Sequence, residues 1–134
     1  MQVERIDHVH IEVTDRDRAA DWYGATLGLA RDSDLAIWAE DPMGPLILRA
    51  GDGRPALSLF ARACAATSRD TTIAFRVNAV AFQTFRNALP NPAILSRDGV
   101  PLQADDVVDH GLSYSLYFVD PDGNRLELTT YDFD

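Results

Sequence analysis

The sequence has a single cysteine, Cys64, among its 134 residues. One thiol excludes an intrachain disulfide and any zinc site built from several cysteines, and it agrees with a reducing compartment. Arg62 is the only basic residue in its immediate stretch, which predicts an inert thiol. Long apolar runs are missing as well. None approaches the roughly 18 to 20 residues that a membrane helix needs, and the first residues carry neither the basic segment nor the apolar core of a signal peptide. A cytoplasmic protein with no membrane partner is expected. Clusters of basic residues are also absent. A formal net charge of −9, spread along the chain, repels a phosphate backbone, so nucleic acid is excluded as a partner and the charge serves solubility. The seven prolines are scattered, with no low-complexity tract or interdomain linker.

What is present is the composition of a globular protein, 46% hydrophobic and 25% charged. The length suits one domain, or two half-size modules that share a core because each alone buries too little surface. The densest local signal lies near the end. Asp120-Pro121-Asp122-Gly123-Asn124 is a turn sequence in which Pro121 presets φ, Gly123 tolerates φ > 0, and Asp and Asn side chains bond their own backbone. β-rich runs over 114–119 and 125–130 flank it, predicting a hairpin. Alternation puts Arg125, Glu127 and Thr129 on one face of the second strand and Leu126 and Leu128 on the other.

Earlier in the chain, Val9, Ile11 and Val13 alternate with His8, His10 and Glu12, predicting a half-buried strand over 8–13 with a polar face. Thr14-Asp15 offers a helix cap, Ala19, Ala20, Trp22, Tyr23 and Leu27 follow helical spacing, and Gly28 offers a stop. Apolar runs at 35–39, 46–48 and 56–60, divided by Gly- and Pro-rich turns, predict three more strands. The second half restarts with an alternating strand from Thr72 to Val77. Asn78 then caps a helix through Phe82, Phe85 and Leu89 that Pro90 and Pro92 end. A strand near 99–103 and a polar loop over 105–110 are expected before the hairpin.

His8 overlays Thr72 at an offset of 64 residues, close to half the chain. Two β-α-β-β-β copies, about 1–66 and 67–134, therefore predict an α+β fold in which paired modules form a cup-shaped sheet with helices outside. The polar positions His8, His10 and Glu12, then Thr72, Ala74 and Arg76, would line the cup. Histidine, carboxylate and guanidinium groups converging there make it a candidate binding site.

The segment from Ile6 to Asp15, Trp22-Tyr23 with Leu27-Gly28-Leu29, and the stretch from Leu116 to Leu128 together resemble the vicinal oxygen chelate superfamily. Its members include glyoxalase I, extradiol dioxygenases and bleomycin-resistance proteins. The resemblance spans the chain. It implies a divalent metal (Fe, Mn, Zn or Ni) held by His8 and Glu127, with Thr72 and Ser58 at the other two inherited ligand positions. Their neutral hydroxyls are poor substitutes for imidazole or carboxylate. By the same resemblance His110, in Asp109-His110-Gly111-Leu112-Ser113, is an acid–base group, a role that suits histidine as a residue type because an unperturbed imidazole titrates near neutrality. His10 is a second catalytic candidate, either His10 or His110 could supply a third ligand, and Glu12, Arg76, Thr72 and Ser58 are substrate-binding candidates. Glu127 has an alternative as the ion-pair partner of Arg76 or Arg125.

Two functions follow from the resemblance. One is a glyoxalase- or dioxygenase-like enzyme acting on a small oxygen-rich or aromatic molecule through a metal. The other is a metal-free protein of the bleomycin-resistance type that binds a small molecule. A homodimer is implied in either case.

Overall fold

A computed structural model describes residues 1–62 and 71–132 of the chain. Cys64 lies outside the described residues. Two compact units, Met1–Ala66 and Thr67–Asp134, divide the chain.

The first unit contains β1 (Val9–Val13), α1 (Arg16–Leu27), β2 (Ala30–Arg31), a 3₁₀ helix (Ser33–Glu40), β3 (Leu46–Arg49) and β4 (Pro55–Ala61). Its sheet runs in the order β1-β4-β3-β2, with β1 and β4 parallel and the remaining pairs antiparallel. The α1 helix starts where Asp15 caps it, the carboxylate accepting from the Arg18 amide at 3.0 Å, and stops where Gly28 turns to φ 68°. Asp15→Ala leaves that amide without its acceptor and is expected to cost about 1 kcal/mol, measured by urea denaturation. Between the helix and sheet, Ala19, Ala20 and Tyr23 are buried with Ile11, Val13, Leu48, Leu57 and Leu59. Trp22, expected in the core, is only half-buried and packs its ring edge-on against Tyr23 at 5.0 Å.

The run 35–39, expected as a strand, is instead the middle of the 3₁₀ helix. Asp32 caps that helix by accepting from the Asp34 amide at 3.0 Å. Arg16 then clamps the far end, donating to the carbonyls of Ala39 (3.0 Å), Asp41 (3.1 Å) and Gly44 (2.6 Å). Those contacts satisfy backbone groups that a strand would have satisfied through a ladder. The strand in that place is the two-residue β2, paired with β3.

The second unit repeats the pattern with β5 (Thr72–Arg76), α2 (Ala79–Asn87), β6 (Val108–Asp109), β7 (Tyr114–Val119) and β8 (Arg125–Thr130), in the order β5-β8-β7-β6. Here too the first and last strands are parallel. Asn78 caps α2 by accepting from the Ala81 amide at 2.9 Å. Phe82 is buried beneath α2, and Phe85 stacks on Phe118 at 5.4 Å. Leu116, Phe118, Leu126 and Leu128 form the apolar face. The hairpin occupies the positions the turn sequence predicted.

The strand expected near 99–103 is not formed. Leu95 makes isolated bridges to Pro101 and Val119, and a short 3₁₀ turn (Ala104–Asp106) follows. Pro101 has no amide to extend a ladder. The fourth strand of the unit is β6, which lies inside the stretch expected as a polar loop and pairs with Tyr114 and Ser115. With these two corrections each unit reads β-α-β-β-β, and the fold is α+β as expected.

Candidate functional site

On the second sheet, register decides which side chains meet. Glu127 on β8 lies opposite Ala74 of β5 on one side and Tyr117 of β7 on the other; Thr129 lies opposite Arg76 and Ser115. Cross-strand partners share a face. Ser115, Tyr117, Glu127, Thr129, Thr72 and Arg76 therefore stand on the face opposite the Leu116, Phe118, Leu126 and Leu128 core.

These groups form a hydrogen-bonded cluster. The fully buried Ser115 hydroxyl donates to Glu127 Oε2 at 2.8 Å and lies 3.1 Å from Thr129 Oγ1. His110 Nε2 is 2.9 Å from the Tyr117 hydroxyl. With the imidazole neutral and protonated on Nδ1, that hydroxyl donates to it. A tight turn holds His110 there: its amide donates to Ser113 O at 2.9 Å, Asp109 accepts from the Gly111 amide at 2.8 Å, and Gly111 adopts φ 82°. Arg97 completes the group. Its guanidinium lies 4.7 Å from the Tyr117 ring centroid, and Nη2 donates to Thr72 Oγ1 at 3.0 Å.

Burial, and after it the negative charge of Glu127, raises the Tyr117 phenol above the ordinary tyrosine value of 10.0, while the Arg97 charge opposes the shift. The folded protein thus holds this proton more tightly than the unfolded chain does. The stability it adds is intact below pH 10.0 and is lost as pH rises further. In an ultraviolet titration referenced to Tyr117→Phe, Tyr117 is expected to ionise late and Glu127→Gln to bring it partway down. An unchanged midpoint in Glu127→Gln would contradict the coupling.

Tyr117 and Arg97 were not among the residues the sequence singled out. Tyr117 was legible, since it alternates with Leu116 and Phe118 and so must share a face with Glu127. Arg97 carried no such mark beyond the Asp98-Gly99 turn signal beside it. The alternative ion pairs of Glu127 do not form among the described residues. Arg76 instead places its guanidinium over the Tyr131 ring at 5.0 Å.

The remaining candidates lie in the first unit. His8 directly precedes β1, with Nδ1 2.8 Å from Asp7 Oδ2 and both side chains well exposed. His10 and Glu12 alternate on β1; the His10 ring lies 4.1 Å from that of Phe60, and Glu12 is half-buried. Ser58, opposite His10 in register, is buried. Ser58 and Glu127 thus hold matching places on the last strand of each unit. His8 and Glu127 belong to different units, as do Ser58 and Thr72.

The donor chemistry at the inherited positions does not fit a complete transition-metal site. Thr72 and Ser58 are neutral hydroxyls, and the former already accepts from a guanidinium whose charge repels a divalent cation. Glu127 has one oxygen committed to Ser115. Among the described residues, neither unit contains three His, Cys, Asp or Glu side chains placed to hold a metal ion.

A separate cleft of about 270 Å³ lies on the helix side of the second sheet, where Phe82, Arg86, Tyr114, Thr130 and Asp132 line it. None of the candidate residues reaches it. Converging acid, base and cation favour the polar face over this cleft as the functional surface.

A glyoxalase/dioxygenase from Nostoc punctiforme superposes with a TM-score of 0.68 at 18% identity, covering 97% of this chain and 92% of that one. A protein assigned to the glyoxalase family from Bacillus anthracis gives 0.70 at 20% identity, with 98% of each chain covered. The oxidase ChaP-H2 gives 0.71 at 20% identity, covering 99% and 97%. At such identities these likenesses establish the fold alone. No curated protein matches the sequence. No helix among the described residues is long and apolar enough to cross a membrane. The family model, however, matches residues 5–128, nearly the whole chain, and the protein belongs to the Glyoxalase/Bleomycin resistance protein/Dioxygenase superfamily.

Proposed function

We propose that the protein binds a small hydroxylated molecule on the polar face of its second sheet and does so without a metal held by the protein. The single observation that carries this reading is the occupation of Thr72. Where the family resemblance puts a metal ligand, a hydroxyl accepts from Arg97. On the same face, the Tyr117 hydroxyl, paired with His110 Nε2 at 2.9 Å, keeps an oxygen lone pair that can accept from a ligand hydroxyl. Glu127 accepts from Ser115 through one oxygen, and its other oxygen can take a ligand hydroxyl. The small side chain of Ala74 beside Glu127 leaves room for that ligand.

Titration with salicylate, followed by NMR, tests the reading. Saturable binding is expected in the wild type, weakened about tenfold by Tyr117→Phe and by His110→Asn through loss of a hydrogen bond. Absence of binding, or affinity indifferent to both substitutions, would overturn it.

The second reading is a metal-dependent dioxygenase- or glyoxalase-like enzyme. Its support is the retention of His8 and Glu127 at two inherited ligand positions and the fold likeness to the oxidase ChaP-H2. It requires stoichiometric metal that is lost in His8→Ala.

A further inference from the structure

Among the described residues, several arginines are engaged by backbone carbonyls or by carboxylates. Arg16 is spent on three carbonyls, Arg31 on the carboxylates of Asp17 and Asp21, and Arg86 on the Ala104 carbonyl at 2.8 Å. Neither Arg97 nor Arg76, whose guanidinium lies over the Tyr131 ring, meets a carbonyl or carboxylate among the described residues, and of the two Arg97 is the one set against Tyr117 and Thr72. Its guanidinium is positioned by one hydroxyl and one ring face, and among the described residues no carboxylate neutralises it.

The loop that carries Arg97 is held firmly. Val119, at the end of β7, donates to Leu95 O at 3.0 Å, and Ser96 donates to Val100 O at 2.7 Å. Gly99 closes the turn with φ 82° and donates to Ser96 O at 3.0 Å. Two anchored residues therefore flank the arginine, one leading to β7, where Tyr117 stands, and one closing the turn. A guanidinium has five N–H donors in a planar fork, and the bond to Thr72 uses one of them. The remaining donors suit a carboxylate, which a fork binds through two parallel bonds.

Resting on the reading that the polar face of the second sheet is the binding surface, we infer that Arg97 is its specificity-determining cation. It selects a ligand whose hydroxyl meets Tyr117, His110 and Glu127 and whose carboxylate meets the guanidinium. The ligand class is then a small hydroxylated carboxylate. Discrimination arises from the unneutralised charge: a neutral analogue of the same shape leaves the guanidinium without an anion, whereas a carboxylate engages it. The net charge of −9 on the chain works against the approach of such an anion at long range, so selection is local.

The probes are salicylate and its neutral isostere salicylamide, titrated into the full chain and followed by NMR. Salicylate is expected to bind about tenfold more tightly than salicylamide in the wild type. Arg97→Gln is expected to abolish that preference by weakening salicylate alone, and Arg97→Lys, which keeps the charge and loses the fork, to fall between the two. The Arg97 side chain is exposed, so unchanged circular dichroism and melting temperature in these variants serve as the folding control. Equal affinity for the two probes, or an undiminished preference in Arg97→Gln, overturns the inference. If both probes bind equally and both depend on Tyr117, the binding surface stands and the role of Arg97 falls. If neither binds, or binding ignores Tyr117 and His110, the surface itself is wrong and the inference falls with it.

Discussion

Phe118→Ala is expected to destabilise the protein by about 3–5 kcal/mol, the largest effect of any single substitution considered. Phe118 has no exposed surface, sits opposite Leu126 in the central hairpin of the second unit and stacks on Phe85 of the helix. Truncation removes a ring from between sheet and helix and leaves a cavity that neither strand can close without giving up its register. A stability of 5–15 kcal/mol is ordinary for a domain, so this loss consumes a large share of it. Urea denaturation followed by circular dichroism reads the effect. Phe118→Leu, which keeps most of the volume, is the control and is expected to cost markedly less. A loss below about 1 kcal/mol for the alanine variant would mean that Phe118 is not the centre of this core.

Asp120→Ala comes second, with an expected loss of about 3 kcal/mol. Asp120 is 2% exposed. Oδ1 accepts from the amides of Asp122 and Asn124, each at 2.9 Å, and Oδ2 accepts from Asn124 Nδ2 at 2.8 Å. Hydrogen bonds to a charged group contribute about 1.5–3 kcal/mol, and removing their acceptor leaves buried donors unpaired. The effect reaches the candidate site because this turn sets the register of β7 on β8, and that register puts Tyr117 beside Glu127. Asp120→Ala should therefore also disturb the His110 and Tyr117 resonances. Asp120→Asn, which keeps one acceptor oxygen, is expected to retain part of the stability. A fully stable alanine variant with an unperturbed site would contradict the account of the turn.

The hairpin was the most legible part of the chain because its turn chemistry and its alternation agree: Asp120, Gly123 and Asn124 fix the turn and the flanking residues alternate without a break. The helix caps Asp15 and Asn78 were legible for the same reason, each being a local signal that the fold then used. The run 35–39 was misread as a strand because its conformation depends on a distant residue. Arg16 reaches across more than twenty positions to clamp the 3₁₀ helix, and no local pattern records that. β6 was missed because two residues are too few to show alternation, and its partner alone defines it.

Within the candidate site the legible residues were those on regular strands. Glu127, Thr72 and Arg76 stand on the face that period two assigns them, with Thr72 and Glu127 in the cluster on the second sheet. What could not be read was the neighbour of each: Ser115 against Glu127, and Arg97 against Thr72, the latter from a loop between elements. Those neighbours change the chemistry. A carboxylate and a hydroxyl that resemble metal ligands in sequence are, in the fold, hydrogen-bonded to a serine and to an arginine.

The central claim is that the polar face binds its ligand without a protein-held metal. Its most direct test is elemental analysis of the full chain purified without chelator, repeated after incubation with iron(II), manganese(II), zinc(II) and nickel(II) and removal of excess. Substoichiometric metal in both preparations, unchanged in His8→Ala, is the predicted result. One metal ion per chain in the wild type, lost in His8→Ala and in Glu127→Gln, would contradict the claim and establish the metal-dependent reading in its place.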